Sequence, residues 1–391
     1  MRRWLRKLGF FGLVASLATL VAIWIRPEAA RPHVPVPRIE SAAGLDGKWF
    51  MAELISPQPG QTRLPMLVTG RAASGKKDAL VQEWPGFHAE ARFRGNAVSV
   101  RFGDGLNRWR VTLNGGAAGR VDLARPGVSD LRISGLAPGD YTIRVEKISE
   151  SSMPASFGGI FVDAAEQALP APRPLPRLIE FIGDSDTLGF ASTSKRRDCS
   201  EEEVFSATDT SRAFGPQVAS RLGADYRIVA RSGIGLVRNY KGTTPHSTMP
   251  ARYPLAIPSE PAAARLPERR ADIVVTGLGS NDFGSDFADG EPWQDKTALS
   301  DAFGPALLTF LRERVRENPD AIQILLAFGE YGDELVEAYE AAEAGLRQDG
   351  VRVALVTLPK LSRRACAWHP SPQDHAMIAD WLSGVIAGFP P

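Results

Sequence analysis

Leu178-Ile-Glu-Phe-Ile-Gly-Asp-Ser-Asp-Thr-Leu-Gly189 is the stretch on which the fold turns. A mostly apolar run of this length, bounded by a glycine, is a strand buried on both faces. Gly183 lets the backbone turn sharply, so Ser185 stands at a strand-to-helix corner with its hydroxyl open to attack. The same pattern recurs downstream. Tyr226–Ala230, Asp272–Thr276, Ala321–Ala327 and Val351–Val356 read as further strands. Between and after them, 213–222, 297–317, 332–348 and 373–386 read as helices. Alternating strands and helices predict a parallel five-stranded sheet covered on both faces, a three-layer α/β/α domain over 178–391. In that architecture the reactive residues gather just past the C-terminal ends of the strands.

The segments just past the strands are therefore the place to look for chemistry. The second strand leads into Arg231-Ser-Gly-Ile-Gly235, the third into Gly277-Leu-Gly-Ser-Asn-Asp282, and the chain end carries Cys366-Ala-Trp-His-Pro-Ser371. Four polar or glycine-rich segments, each at a strand end or near the chain end, thus converge on one rim, with Ser185 exposed for attack. Each residue also has a plainer reading. Ser185 and Asn281 suit helix caps, and His369 suits an ordinary surface position. His375 is a rival base, but it falls inside an expected helix.

These blocks resemble the SGNH (GDSL-type) hydrolases: Gly183-Asp184-Ser185 the first block, Gly235 the second, Gly279-Ser280-Asn281-Asp282 the third and His369 the fifth. The resemblance implies that Ser185 and His369 are catalytic. It also implies an oxyanion hole made by the Ser185 amide, a second-block glycine amide and the Asn281 side chain. Gly233 and Gly235 compete for the glycine role, and Gly235 aligns better with the block. More narrowly, Trp84-Pro-Gly86, Ala91-Arg-Phe-Arg-Gly95, Gly235-Leu-Val-Arg-Asn-Tyr240 and Trp368-His-Pro-Ser371 resemble carbohydrate esterase family two. Its members pair an N-terminal jelly roll with an SGNH domain and remove acetyl groups from sugars. One departure stands out. The acid expected three residues before the histidine is Cys366, and two before it stands Ala367. The resemblance then implies a Ser–His dyad whose imidazole is held by a backbone carbonyl. On the substrate side, Trp368 reads either as a wall of the sugar site or as core packing. Arg238 and Asn239 either line the cleft or pin their loop, and Asp184 joins them as a candidate.

Upstream, short alternating runs at 89–93, 97–102, 108–113, 131–134 and 141–145, with an Asn114-Gly115 turn signal, predict a β-sandwich over 46–165. By the family resemblance this sandwich is a jelly roll. Residues 166–177 read as a Pro-rich linker and 31–45 as a Pro-rich stalk. Residues 1–30 join a basic start, Arg2, Arg3, Arg6 and Lys7, to an uncharged apolar run over 8–25. That is either a cleaved export signal or a single-span inner-membrane anchor, and in both cases the body of the chain lies outside, periplasmic or extracellular. Cys199 and Cys366 read as a disulfide in such an oxidising compartment, with two free buried thiols as the alternative. The 46 basic and 45 acidic residues give a net charge of +1, which supplies no reason for a nucleic-acid partner. No metal site or organic cofactor is implied. The expected activity is removal of O-acetyl groups from carbohydrate. A general esterase or lipase, or a glycan-binding protein with a degenerate hydrolase domain, are the alternatives.

Overall fold

The computed structural model describes residues 36–44 and 50–389. The expected export signal or anchor over 1–30 lies outside them. Among the described residues no helix is long and apolar enough to cross a membrane.

Among the described residues, the N-terminal part is a sandwich of two antiparallel seven-stranded sheets. The first runs in the order Arg38–Ala43, Gly119–Ala124, Arg108–Leu113, Gly139–Lys147, His88–Gly95 and Gln167–Leu169, with Met66–Thr69 also paired to His88–Gly95. The second is built around Gly127–Ser134, Val98–Asp104 and Ala155–Val162. Alternate residues of each strand face inward, and the core they form is aromatic at its centre: Trp109 packs against Phe87, Phe102 and Phe157. The Asn114-Gly115 signal does close a hairpin between Arg108–Leu113 and Gly119–Ala124, with both residues at positive φ.

Two expectations need correction. Residues 38–43, assigned to the stalk, form an edge strand whose register with 120–124 is regular apart from one shift. Residues 167–169, assigned to the linker, pair with 92–94. Proline density hid both, because a proline-rich stretch is also well suited to a sheet edge, where one side of the strand needs no partner.

The second part is the parallel sheet. Its strands are β1 (Leu178–Gly183), β2 (Asp225–Ala230), β3 (Ile273–Gly277), β4 (Ile322–Phe328) and β5 (Val353–Leu358), in spatial order β2-β1-β3-β4-β5. Side chains alternate across it. Ile182, Val274, Leu325 and Val353 face the helices Lys296–Glu317 and Asp333–Gln348 through Leu307, Phe303, Leu335 and Tyr339. Phe181, Ile228, Val275 and Ile324 face Phe214–Leu222 and Pro372–Ala387 through Phe214, Val218, Ile378 and Leu382. The chain reverses its winding direction at β1, so β1 and its neighbours open a crevice at their C-terminal ends.

Sandwich and sheet form one compact unit from Pro37 onward. Glu180, in the middle of β1 and fully buried, is held by Arg71 of the sandwich, by Arg227 of β2 at 2.8 Å and by the Tyr253 hydroxyl at 2.8 Å. Burial works against its charge, but the two guanidiniums hold its pKa down to about 2. The Trp84 indole donates across the same boundary to the Leu255 carbonyl at 3.0 Å.

Candidate active site

At the C-terminal ends of β1, β2 and β3 lies a cavity of about 570 Å³. Ser185, Asp186, Gly233, Tyr240, Asn281, Arg363, Trp368 and His369 are among the residues that line it. Residues more than 180 positions apart in the sequence thus meet at one rim of the sheet, in the place that strand-end reasoning indicates.

Ser185 opens the short helix Ser185–Leu188, and the cap of that helix is Asp184, whose carboxylate accepts from the Asp186 amide. The capping role is therefore filled by its neighbour, and the Ser185 hydroxyl is not consumed by it. Asp184 itself is fully buried and absent from the cavity lining. It accepts from the Ser280 hydroxyl and so ties the end of β1 to the end of β3. Burial and the neighbouring Asp186 charge both raise its pKa. This corrects its candidacy as a substrate contact: no face of it is open.

His369 stands immediately before the C-terminal helix, whose cap is a reciprocal pair between Ser371 and Asp374. Its Nδ1 lies 3.0 Å from the Cys366 carbonyl, and the Phe190 ring backs the imidazole with centroids 4.2 Å apart. With Nδ1–H donating to a carbonyl, Nε2 is the unprotonated nitrogen. Burial lowers the His369 pKa, opposed by the Asp186 charge. No hydrogen bond joins the Ser185 and His369 side chains, a contact that in acyl-transfer sites often closes only with substrate bound. The rival His375 is in the core, stacked on Phe214, with neither ring nitrogen partnered and its pKa lowered to about 4 by burial. It has no access to a substrate.

The glycine choice is also corrected. The Gly235 amide donates to Asn239 Oδ1 at 2.9 Å, and Gly235 does not line the cavity. Gly235 is a glycine for packing: a Cβ there would lie 1.9 Å from the Arg238 carbonyl oxygen. Gly233 lines the cavity at φ +74°, and among the described residues its N–H has no protein acceptor. The Ser185 N–H is likewise unspent. Asn281 donates one amide hydrogen to the Ile234 carbonyl at 2.9 Å, which fixes the side chain and leaves the second hydrogen for the cavity. Ser185, Gly233 and Asn281, each with an unspent N–H, therefore line one cavity, and Gly235 does not. The block alignment misled because both glycines sit in one turn and only the backbone reveals which amide is free.

Arg238 and Asn239 pin their loop. Arg238 is buried, paired to Glu291 at 2.5 Å and donating to the carbonyls of Asp282, Ser285 and Asp286. Asn239 spends its amide on Thr244 and Ser247. Their candidacy as substrate contacts is withdrawn on this ground. Trp368 does line the cavity, 61% exposed, and Tyr240, 43% exposed, lines it too.

Sequence reasoning overlooked a charged cluster. Arg363 grips Asp186 with two bonds, 3.1 and 2.6 Å, donates to Glu330 at 2.6 Å and to the Trp368 carbonyl at 3.2 Å. Burial opposes the Asp186 charge, but Arg363 holds its pKa low. Asp282 has a role that its place in the third block does not reveal. It accepts the amides of Leu236, Val237 and Arg238 at 2.8–2.9 Å, binding the loop after β2 to the loop after β3. Cys199 and Cys366 are joined in a disulfide, Cα–Cα 5.6 Å. Among the described residues no group of histidines, cysteines and carboxylates is arranged to hold a metal ion.

With this geometry in hand, similarity to known proteins is informative. Residues 68–172 match the family described as Carbohydrate esterase 2 N-terminal. The chain is 32% identical over 325 residues to an acetylxylan esterase / glucomannan deacetylase of Cellvibrio japonicus, covering 82% of this chain and 89% of that one. Among solved structures, a carbohydrate esterase whose active site displays divergent catalytic and non-catalytic binding functions superposes with a TM-score of 0.77 at 29% identity, over 84% of this chain and 98% of the other. A family two carbohydrate esterase from Clostridium thermocellum in complex with cellohexaose gives 0.70 at 28% identity, over 82% and 98%.

Proposed function

Because this chain belongs to carbohydrate esterase family two, we propose that it removes O-acetyl groups from an acetylated polysaccharide or its oligomers by Ser–His acyl transfer. The observation that carries this reading is the convergence of Ser185, His369 and three unspent N–H donors on one cavity. Ser185 Oγ attacks the acetyl carbonyl as Nε2 of His369 takes its proton. Negative charge grows on the carbonyl oxygen, facing the amides of Ser185 and Gly233 and the Asn281 side-chain NH₂. Such donors stabilise the transition state by about 10²–10³ in turnover each. The tetrahedral adduct collapses, His369 gives its proton to the departing sugar oxygen, and the acetyl group stays on Ser185. Water then attacks the acyl-enzyme as His369 takes its proton, and His369 returns that proton to Ser185 Oγ as acetic acid departs.

The dyad needs no carboxylate for the first of its requirements. A third group fixes the tautomer and steadies the imidazolium; the Cys366 carbonyl serves the first purpose, and the Asp186 charge contributes to the second. The walls favour sugar over lipid. Trp368 and Tyr240 offer aromatic faces to a ring, and Asp186, Glu330 and Arg363 make the lining polar and charged. The acetylated xylan and glucomannan named for the Cellvibrio relative are the first substrates to try. The disulfide fits an oxidising, exported location.

Acetate release from acetylated xylan, glucomannan and chitooligosaccharides tests the reaction and the substrate class together. Ser185→Ala abolishes release on every substrate the wild type attacks. Wild-type protein that binds these glycans and yet matches Ser185→Ala on 4-nitrophenyl acetate is a binding protein, and the proposal fails.

A further inference from the structure

We infer that the segment Arg197–Cys199 is a positioning strap for the base, and that its disulfide to Cys366 takes over the orienting role that a carboxylate has in a triad. The inference rests on the assignment of His369 as the base. A carbonyl can orient an imidazole only as well as its own peptide is held, and the peptide in question is in an awkward place. Ala367 and Trp368, the two residues between Cys366 and His369, both have left-handed backbone, φ +51° and +62°, and neither is a glycine. Arg363, at the start of the same loop, is at +47°. Such conformations cost about 1–2 kcal/mol per residue and persist only where the surroundings impose them.

The imposing contacts come from one short segment. Cys199 is bonded to Cys366 itself. The Arg197 carbonyl accepts from the Ala367 amide at 2.8 Å. The Arg197 side chain donates to the carbonyls of Arg363 at 2.8 Å and Ser362 at 3.1 Å, and its guanidinium lies 3.5 Å from the centre of the Trp368 ring. Both ends of the loop and its middle are therefore fastened to 197–199. The strap is itself anchored. Ser200 caps the helix Glu201–Ala207 in a reciprocal pair with Glu203, and Glu202 of that helix is gripped by Arg125 of the sandwich at 2.7 and 3.0 Å. Rigidity thus passes from the sandwich through the disulfide to the atom that orients the imidazole.

The test compares the native protein with the Cys199→Ser, Cys366→Ser double variant and with native protein reduced by dithiothreitol. In the reduction the dithiol supplies two electrons and two protons, the Sγ–Sγ bond becomes two thiols and the reagent closes to its cyclic disulfide; thiol titration verifies completion. Well below the unfolding temperature, kcat on 4-nitrophenyl acetate is expected to fall about tenfold to a hundredfold, the scale of a misplaced catalytic group, with KM within twofold. In ¹³C-histidine-labelled protein the His369 imidazole titration is expected to shift from its native position, because loosening changes both its burial and its bond to the Cys366 carbonyl. A disulfide that serves stability alone lowers Tm and leaves kcat, KM and titration in place; that result overturns the inference. Should the double variant fail to fold, the reduced native protein gives the same readings. If native protein hydrolyses no ester at all, the functional reading fails, while the imidazole titration still decides the strap.

Discussion

His369 is pulled in two directions. Burial disfavours the imidazolium, the Asp186 carboxylate favours it, and burial prevails, so the pKa lies below the ordinary 6.5. As the proposed base, His369 acts only when neutral. A lowered pKa keeps it neutral to more acidic pH, so the acidic limb of kcat/KM is expected below pH 6.5. Asp186→Asn removes the charge that raises the pKa, and the limb should move further toward acid, with a lower plateau because the imidazolium loses support. A pH–rate profile of both proteins on 4-nitrophenyl acetate checks this; a variant limb displaced upward contradicts it. That Ser185 and His369 would meet at one rim was legible from sequence because each stands in a short, characteristic string at a strand end or helix start. The Asp186–Arg363–Glu330 cluster was not. Asp186 beside Ser185 reads as an ordinary first-turn acid, and nothing in the spacing of positions 186, 330 and 363 ties them until the sheet brings their loops together.

Adjacent residues can serve different elements, and the short helix Ser280–Phe283 shows how. Asn281 faces the cavity, while Asp282 turns away and holds three amides of the loop after β2. Asn281→Ala is expected to cut kcat by about 10²–10³ with little change in KM, the loss of one oxyanion donor. Asp282→Ala leaves two buried N–H groups and one half-buried N–H group unsatisfied, each buried one costing about 1–3 kcal/mol. It should lower Tm steeply, and activity should fall with the folded fraction. Steady-state kinetics beside thermal unfolding separates the two; equal Tm losses would show that the division is wrong. The parallel strands were readable to within one or two residues at each end, because strands buried on both faces leave continuous apolar runs. Sandwich strands were readable only in part. Ala155–Val162 lies at the centre of its sheet, yet its glycines and small residues blur the alternation. The Gly233–Gly235 ambiguity belongs to the same scale, since it depends on the direction of an amide that a sequence does not record.

Across the whole molecule, the sandwich braces the loop that carries the proposed oxyanion donor Gly233. Glu150, just past the strand Gly139–Lys147, accepts both the Ser232 amide at 2.7 Å and the Ser232 hydroxyl at 2.6 Å. Glu83 pairs with Arg231 at 2.9 Å and also accepts from Ser259. Residues 231 and 232 directly precede Gly233, so two sandwich carboxylates set the loop that presents its amide. One sign of this docking was visible in the sequence: Glu180 interrupts an otherwise apolar strand, and a charge there needs a buried partner. Its partner Arg71 lies more than 100 residues away, so the sequence could show the need without the answer. Glu150→Ala leaves the Ser232 amide without its acceptor, at about 1–3 kcal/mol, which for a chain of this size is a Tm loss of only a few degrees, at about 1–2 °C per kcal/mol. The larger effect should be catalytic. With the loop freed, kcat is expected to fall about tenfold or more on 4-nitrophenyl acetate, a substrate too small to touch the sandwich, because a donor displaced by a fraction of an ångström no longer meets the developing charge. Kinetics at a temperature where both proteins are fully folded gives the answer. A variant with lowered Tm and native kcat would reduce the sandwich to a stabilising scaffold, since the loop would then hold its shape from the α/β side alone.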